Sequence, residues 1–212
     1  MKEAAVFDVD KTIIKGNTGI IFTIIFLKKG YLSLWEFLKI IYYAVMYKLH
    51  RFDYEKGMRS VYSTLKNHNR QELLKIINYS YSEHIEPKIY DFMKKEIEMH
   101  KNKGRVIIFA TNSMKEMVDK LAEGLRADFL LSTTAEHKNK KFTGRIKNIC
   151  YGKEKAAQVK KFCQKKGLKI THAYSDHYSD RHLLMLAQNP VAVKPDKKLK
   201  KFAESRNWKV IR

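Results

Sequence analysis

Short apolar runs alternate with helix-like segments through the second half of this chain, and this alternation constrains the fold more than any other feature. The runs are RVIIFA (105–110), FLLST (129–133), ITHAYS (170–175), PVAVK (190–194) and WKVI (208–211). Between them, the stretches 113–123, 153–166, 180–187 and 196–205 repeat apolar residues with the spacing of a helix. Strands that alternate with helices predict a parallel sheet covered on both faces.

Glycine and serine residues mark where several of these elements end. Ser113 stands at the expected N-cap of the first helix, and Gly124 follows its last turn. Gly167 ends the next helix in the same way. The segment NKKFTGRI (139–146) predicts a turn with short strands around Gly144.

A long helical segment interrupts this pattern after its first strand. The run Ala4–Phe7 predicts that strand, whereas residues 16–100 show only helical periodicity. We therefore expect an α/β core domain formed by residues 1–15 and 101–212. An all-helical domain, residues 16–100, is inserted into it.

The chain is strongly basic, with a formal net charge of +21. Most of the excess lies in residues 137–169, where Glu154 is the one acid, and in residues 194–212. Runs of lysine are often no more than solvated surface. A field of this size nevertheless concentrates anionic ligands such as phosphate esters, nucleic acid or acidic lipid headgroups.

Two features predict a cytoplasmic location. Cys150 and Cys163 have neither disulfide nor zinc-ligand spacing, which is typical of free thiols in a reducing compartment. Asp8 and Asp10 fall where a signal peptide would need its uncharged apolar core. We therefore expect a cytoplasmic protein without a signal peptide.

The most membrane-like part of the chain lies in the helical insertion. The stretches IIFTIIFL (20–27) and LWEFLKIIYYAVMYKL (34–49) are rich in aliphatic and aromatic residues, but Lys28, Lys29 and Glu36 interrupt them. No uncharged window approaches the ~18–20 residues of a spanning helix. The pattern predicts either buried helices of a small bundle or an interfacial helix pair that contacts a membrane surface.

Polar residues follow three of the predicted strands. They are Asp8, Asp10 and Thr12 after the first strand, Thr111, Asn112 and Ser113 after RVIIFA, and Asp176 and Asp180 after ITHAYS. Because ligands of open parallel sheets bind beyond the carboxyl ends of the strands, we expect these side chains to converge on one site.

Several carboxylates that converge repel one another unless a cation lies among them. Hard oxygen ligands without His or Cys indicate Mg²⁺, which commonly pairs with a phosphate. This combination favours phosphoryl transfer, in which one carboxylate can attack phosphorus and a second can move the proton.

Five motifs of this chain have the order and the residue types of the motifs of a known family. They are FDVDKT, ATNS, FTGRI, GKEKA and YSDHYSDRHLL. They resemble the haloacid dehalogenase (HAD) superfamily, and within it the phosphoserine phosphatase-like hydrolases of subfamily IB. The resemblance covers the expected core, 1–15 and 101–212. It implies a doubly wound parallel-sheet (Rossmann-like) α/β core with an all-helical cap inserted after the first strand.

The resemblance also implies a role for each motif residue. Asp8 would be the nucleophile, and Asp10 the general acid and then the general base. Both would help to hold Mg²⁺, Asp10 through its main-chain carbonyl. Asp176 would be a further metal ligand with Asp180 as a ligand or support beside it, and Thr12 would brace the loop.

The phosphate-binding groups are less directly implied. The family's lysine opens a helix three residues after a glycine, which favours Lys155, with Lys153 as the alternative. The family also has a phosphate-binding Ser or Thr at the end of its second motif strand. Counting back from the helix terminator Gly124, the matching position in this chain is Phe109. Either Thr111 and Asn112 supply that contact in a shifted register, or binding relies on backbone N–H groups and lysine.

Substrate recognition departs from the family pattern as well. Phosphoserine phosphatases have a glutamate that reads the substrate amine, and Asn17 occupies the matching position. Because an amide cannot offset an ammonium charge, phosphoserine is disfavoured. His177 and Tyr178, and Arg51 and Arg59 in the cap, are further candidates for substrate contact, with an ordinary loop or surface role as the alternative for each.

Three functional hypotheses follow. The leading one is a Mg²⁺-dependent phosphomonoesterase that hydrolyses a small phosphate ester through an aspartyl-phosphate. The second keeps this chemistry but acts on a lipid or headgroup phosphate, with the basic, aromatic-rich cap in peripheral contact with a membrane. The third is a nucleic-acid-binding protein on an inactive phosphatase scaffold, although the sequence has no specific nucleic-acid-binding motif.

Overall fold

One mixed sheet organises the computed structural model, which describes residues 1–48 and 53–211. Its strands are β1 (Lys2–Phe7), β2 (Val106–Met114), β3 (Phe129–Lys138), β4 (Lys141–Asn148), β5 (Leu168–Ser175), β6 (Asn189–Val193) and β7 (Lys209–Ile211). They lie in the order β4-β3-β2-β1-β5-β6-β7. Every neighbouring pair is parallel except β3 and β4. The expected α/β sheet is confirmed, with β1 at its centre.

Helices account for most of the remaining chain. Those of the insertion are α1 (Thr18–Lys28), α2 (Leu34–Lys48), α3 (Tyr54–Ser63), α4 (Arg70–His84) and α5 (Asp91–Asn102). Those between later strands are α6 (Lys115–Gly124), α7 (Gly152–Lys166), α8 (Arg181–Leu184) and α9 (Lys197–Glu204). None of the helices in the described residues is long and apolar enough to cross a membrane.

The central strand β1 is buried on both faces, because its side chains alternate between two cores. Ala5 and Phe7 join the core formed with α1 and α4–α6, and Ala4 and Val6 join the core formed with α7–α9. A strand that packs on both faces reads as a continuous apolar run rather than an alternating one. Asp8 follows this run directly and is therefore attached to a strand whose last four residues are all buried.

A row of aromatic rings crosses the sheet just beneath the end of β1. Phe7 pairs in register with Phe109 of β2 and Tyr174 of β5. The rings of Phe7 and Tyr174 stack at 4.5 Å, and Phe109 meets Phe7 edge-on at 6.2 Å. His100 of α5 covers the same row, with its ring 5.8 Å from that of Phe7. The row gives the residues that follow these strands a rigid base.

Two predicted element ends were wrong. Strand β2 runs on to Met114, so Ser113 is not a helix cap, and its hydroxyl binds another side chain instead. Gly144 lies inside β4 rather than at a turn, because the tight turn is made by Asn139 and Lys140, both with positive φ. The φ of Gly144 is +80°, and a Cβ there would lie 3.0 Å from Lys66 Cβ, so glycine is needed for close packing.

The helix predicted over 180–187 was too long. Residues Tyr178–Asp180 form a 3₁₀ turn and α8 covers Arg181–Leu184. Asp180 is buried and bonded by Ser175, which holds the chain close to the end of β5 before the helix begins.

Main-chain hydrogen bonds join the helical insertion to β4. The Asn67 N–H donates to the Phe142 carbonyl of β4 (2.9 Å), and the Phe142 N–H donates to the His68 carbonyl (3.0 Å). Helix α5 packs on the sheet through Met93 and Ile97. We therefore propose that α5 belongs with the core and that α1–α4 form the cap. Arg51, named above as a substrate-binding candidate, lies outside the described residues.

A buried hydrogen-bond chain links α5 to the sheet below the site. Arg105 Nη1 donates to His100 Nδ1 (3.1 Å), and the Tyr174 hydroxyl donates to Glu96 (2.9 Å). The contact of 2.8 Å between His100 Nε2 and the Tyr174 oxygen therefore needs the Nε2–H tautomer, with Nδ1 as acceptor. Burial, with the charges of neighbouring basic groups, lowers the pKa of His100 to about 3.

We predict that His100 contributes to acid destabilisation. An unfolded histidine titrates near about 6.5. Between that value and the lowered pKa the unfolded state binds more protons, so the free energy of unfolding falls with decreasing pH, by at most ~1.4 kcal/mol per pH unit. The variant His100→Gln should show a shallower pH dependence in urea unfolding between about pH 7 and 5. His84→Gln, at an exposed histidine of α4, is the control and should keep the wild-type slope. Equal slopes for wild type and His100→Gln would contradict the prediction.

Candidate active site

The loop after β1 folds back on itself and presents its polar side chains to the carboxyl ends of β2 and β5. The Asp8 N–H still pairs with the Tyr174 carbonyl of β5 (2.9 Å), so Asp8 is held by the sheet. Lys11 then adopts the left-handed region, with φ of 59°. Such a conformation is strained for a residue with a side chain and is common at functional sites. The turn brings Thr12 back beside Asp8.

A buried lysine joins two of the predicted carboxylates. Lys155 Nζ lies 2.9 Å from Asp8 Oδ1 and 2.7 Å from Asp180 Oδ2, and its side chain is 2% exposed. Ser175 donates a further bond of 2.8 Å to Asp180 Oδ2. Burial opposes the charge of Lys155, yet the carboxylates of Asp180 and Asp8 hold its pKa well above the ordinary value. The site therefore contains a fixed positive charge.

Thr12 links Asp8 to the third predicted carboxylate. Its hydroxyl lies 3.1 Å from Asp8 Oδ2 and 3.5 Å from Asp176 Oδ1. Burial raises the pKa of Asp8 to about 7 against the pull of Lys155, and burial together with Asp8 raises that of Asp176 to about 8. The anionic charge of this cluster is thus only partly offset by the protein itself.

Asp10 has a different set of partners, all of them neutral. Its Oδ2 accepts from the Ser113 hydroxyl (2.6 Å) and from Asn17 Nδ2 (3.2 Å), and its Oδ1 accepts from the Thr18 N–H (2.7 Å). Burial raises the pKa of Asp10, and the bonds from Ser113 and Thr18 moderate the rise. A carboxyl in such surroundings is suited to exchange a proton.

The two lysines of GKEKA are separated by the geometry of α7. Lys155 reaches Asp8, whereas Lys153 is exposed at the first turn of the helix. Positions 153 and 155 point to different sides of a helix, so only one of them can face the sheet edge. The lysine at this site is Lys155.

The phosphate-binding candidates lie where the regular β2 pairing ends, since Thr111 is the last residue in continuous register with β3 and Asn112 follows it. Phe109 is fully buried in the aromatic row, so it contributes to the core and not to the site surface. The Thr111 hydroxyl accepts from the Ser113 N–H (3.1 Å), and Asn112 Nδ2 donates to the Tyr54 hydroxyl (2.8 Å). After Phe109, the first side chain of β2 that carries a hydroxyl group is that of Thr111.

A tyrosine of the helical insertion stacks on a tyrosine that precedes α7 near these groups. Tyr54 begins α3 in the cap, and Tyr151 precedes α7 in the core. Their rings stack at 3.5 Å with an interplanar angle of 18°. Because Tyr54 also bonds Asn112, the cap is closed onto the core at this point.

The donor set suits a hard divalent cation. In the described residues no group of three or more His, Cys, Asp or Glu side chains is arranged to hold a metal ion. Mg²⁺ does not need one, because it keeps several waters and takes one or two carboxylates together with phosphate oxygens. Asp180 Oδ1 is buried without a hydrogen-bond partner in the described structure, which is a further sign of unbalanced negative charge. Asp8 and Asp176 are the side chains that fit the cation.

Sequence reasoning missed two contributors to the site and assigned a second, wrong role to a third. Ser113 was counted at the strand end but assigned to a helix cap, and Thr18 and Tyr54 were not considered. Thr18 shares a contact of 2.6 Å with Ser113. The signal for Thr18 was the Asn-Thr-Gly stretch before an apolar helix, which marks a helix N-terminus and its free N–H groups.

Several weaker candidates have other roles. His177 Nδ1 accepts from the Ser179 N–H as a local cap, and the Tyr178 N–H donates to Asp196. The guanidinium carbon of Arg181 lies 4.4 Å from the centre of the Tyr178 ring. In the cap, Arg59 pairs with Glu55 on the exposed face of α3.

Comparison with known proteins gives a consistent result. The sequence profile of the haloacid dehalogenase-like hydrolases matches residues 5–185. Phosphoserine phosphatase SerB1 of Mycobacterium tuberculosis (strain ATCC 25618 / H37Rv) is 29% identical over 214 residues, which cover 98% of this chain and 70% of that protein.

Two solved structures share the fold. A protein of unknown function from Bordetella pertussis Tohama I has a TM-score of 0.92 at 20% identity, covering 100% of this chain and 99% of that chain. A substrate-bound phosphoserine phosphatase complex has a TM-score of 0.72 at 19% identity, covering 100% and 93%. The chain therefore belongs to the haloacid dehalogenase-like hydrolase family, as its motifs predicted, and is an enzyme of the phosphatase type.

Proposed function

We propose that this enzyme hydrolyses a small phosphate monoester with Mg²⁺, through a phosphorylated Asp8. The observation that carries the proposal is the difference between two carboxylates on one loop. Asp8 is paired with the cation of Lys155, whereas Asp10 is held by neutral donors from Ser113, Thr18 and Asn17. Two carboxyl groups with different surroundings are suited to different roles in one reaction.

In the first step, the Asp8 carboxylate attacks phosphorus and the bond from phosphorus to the ester oxygen breaks. Asp10 gives its proton to the departing oxygen, so the product alcohol leaves neutral. Lys155 offsets the charge on the phosphoryl oxygens. Thr111 and Asn112 are the proposed contacts for those oxygens on the β2 side.

In the second step, water attacks the phosphoryl group on Asp8, and Asp10 takes the proton from that water. The bond between Asp8 and phosphorus breaks, which releases inorganic phosphate and restores both carboxyl groups. When bound, Mg²⁺ would supply further positive charge; Asp8, Asp176 and the main-chain carbonyl of Asp10 would hold it, with Asp180 supporting the set.

The surroundings of Asn17 support a substrate without an ammonium group at this position. Its Oδ1 accepts from the Ile20 N–H (3.0 Å) and its Nδ2 donates to Asp10, so both ends of the amide are engaged. The stacked Tyr54 and Tyr151 limit the space above Asn112. A small ester without a charged amine fits these features better than phosphoserine.

We propose that the enzyme acts in the cytoplasm. Both cysteines are buried and free, and burial raises the pKa of the Cys150 thiol to about 12. Neutral thiols of this kind fit a reducing compartment.

The nucleic-acid hypothesis rested on two observations, the net charge and Phe109, and the second no longer supports it. Phe109, which suggested a retired site, belongs to the aromatic row of the core. The carboxylates and Lys155 remain together. The basic surface alone supports general anion attraction and no specific nucleic-acid function.

We predict that Asp8→Asn abolishes turnover on a panel of phosphate esters with Mg²⁺. Asp10→Asn should lower kcat by about 10²–10⁴, the usual contribution of general acid–base catalysis. Asp119→Asn is the control, because that carboxylate pairs with Lys115 on the exposed side of α6. Initial rates of phosphate release measure all three. Equal rates for wild type and Asp8→Asn would reject the proposal.

A second prediction separates the two lysines of α7. Lys155→Met should lower kcat/KM by at least about 10², since the loss of one transition-state charge partner costs that much in comparable sites. Lys153→Met has the same change on an exposed side chain and should stay within about twofold of wild type. Similar losses for both variants would contradict the assignment.

A third prediction concerns specificity. Wild type should have a higher kcat/KM for glycerol phosphate than for phosphoserine, because Asn17 offers no charge to an ammonium group. Competition between the two esters in one reaction measures the ratio. A preference for phosphoserine would contradict the prediction, because a group other than Asn17 would then bind the substrate ammonium.

A further inference from the structure

The outer sides of α1 and α2 bear most of the large apolar side chains that the described residues leave exposed. Apart from Met1, Tyr79 and Met185, all such side chains lie on these two helices. On α2 they are Leu34, Trp35, Leu38, Ile41, Tyr42 and Val45, and Trp35 is 82% exposed. Ile20 and Ile24 continue the set on α1. We call these eight residues the apolar face. So large an exposed set marks an interaction surface.

The apolar face follows the geometry of a helix that lies against another surface. The six α2 residues recur every three or four positions and so form one stripe along the helix. The other side of α2 faces the protein, where Glu36 accepts from Ser33 (2.7 Å) and contacts His68 (2.9 Å). Ile40 packs against the core on that inner side.

The charged side chains of α1 and α2 are mostly basic. Between residues 18 and 48 the one acid is Glu36, which is turned inward, while Lys28, Lys29 and Lys39 are exposed. Lys39 and Lys66 border a shallow cleft of about 640 Å³ that Trp35, Leu38 and the partly buried Glu36 also line. Apolar side chains with lysines at their edge match the interface of an anionic membrane.

We propose that the apolar face docks on an anionic lipid bilayer. A second copy of the chain is a poorer occupant, because it would bring these lysines together between two molecules that each carry a net charge of +21. Nucleic acid is also poorer, since aliphatic side chains such as Leu38, Ile41 and Val45 offer no contact to phosphates. The aromatic residues Trp35 and Tyr42 suit the headgroup region.

Docking would bring the membrane close to the active site. Helix α1 begins at Thr18, whose N–H bonds Asp10, and the exposed Ile20 follows two residues later. Asn17 contacts both the Ile20 N–H and Asp10. The inference concerns binding alone and goes beyond the proposed reaction, so either one can fail without the other.

Sedimentation with vesicles tests the inference, using the full chain without substrate. The protein should pellet with an equal mixture of phosphatidylcholine and phosphatidylglycerol at low salt, and much less with phosphatidylcholine alone. Trp35→Ser with Leu38→Ser should weaken partitioning at least about tenfold, because two apolar anchors are lost. Met185→Ser, an exposed apolar residue outside the apolar face, is the matched control and should bind like wild type.

Reversing the charge of one lysine tests the electrostatic contribution to vesicle binding. Lys39→Glu should weaken partitioning by about fivefold or more, given the contribution of one lysine near an anionic surface. Lys161→Glu changes the net charge equally on the exposed side of α7 and should have a smaller effect. Equal effects of the two reversals would mean that net charge, and not this surface, drives binding.

A spectroscopic measurement tests the apolar face without substituting any of its residues. The chain has two tryptophans, so Trp208→Phe leaves Trp35 as the one reporter. Its emission should shift to shorter wavelength when the anionic vesicles are added. No shift and no pelleting would overturn the inference. So would oligonucleotide binding without vesicle binding, or a dimer in solution that the Trp35 and Leu38 substitutions dissociate.

Discussion

The buried ion pairs of Lys155 with Asp8 and Asp180 are the interaction on which the site depends. Three carboxylates, at positions 8, 176 and 180, are buried at neighbouring strand ends, and Lys155 is the cation that contacts two of them. Removing one partner of a buried pair commonly costs ~3–5 kcal/mol, because the other charge is left unpaired. The fold therefore holds α7 against the sheet edge for an electrostatic reason as well as an apolar one.

The remainder of the site is built outward from the central strand. The apolar run of β1 is buried on both faces and supported by the rings of Phe7, Phe109 and Tyr174, so Asp8 has little freedom. In the loop that follows, a left-handed Lys11 brings Thr12 back beside Asp8, and Asp10 lies against Ser113 and the start of α1. One carboxylate thus meets a cation and the other meets neutral donors, although only two residues separate them in sequence.

Much of this could be predicted from the sequence because it follows from local patterns. Apolar runs alternating with helical periodicity predicted the sheet, and acids after those runs predicted which residues meet. The convergence of Ser113 with Asp10 was expected, but its helix-cap role was wrong, because a serine before a helix is a good cap and only the tertiary contact with Asp10 displaces that role. The position of Gly144 depended in the same way on close packing against Lys66 in the cap.

The apolar face shows a different limit of sequence reasoning. The pattern of residues 20–49 favoured a buried bundle over an interfacial pair, but it does not say which side of a helix is covered. The structure buries one side of α1, through residues such as Phe22 and Phe26, and leaves Ile20 and Ile24 exposed. One side of these helices therefore belongs to a buried bundle, and the exposed side is the one that we propose contacts a membrane.

The central claim is that Asp8 becomes phosphorylated during turnover. Rapid acid quench of the wild-type enzyme during hydrolysis, followed by mass spectrometry of its peptides, tests this most directly. We expect one added phosphoryl group on the peptide that contains Asp8, and none in the Asp8→Asn variant. Phosphate release at the wild-type rate with no phosphorylated peptide, or with the group on another residue, would contradict it.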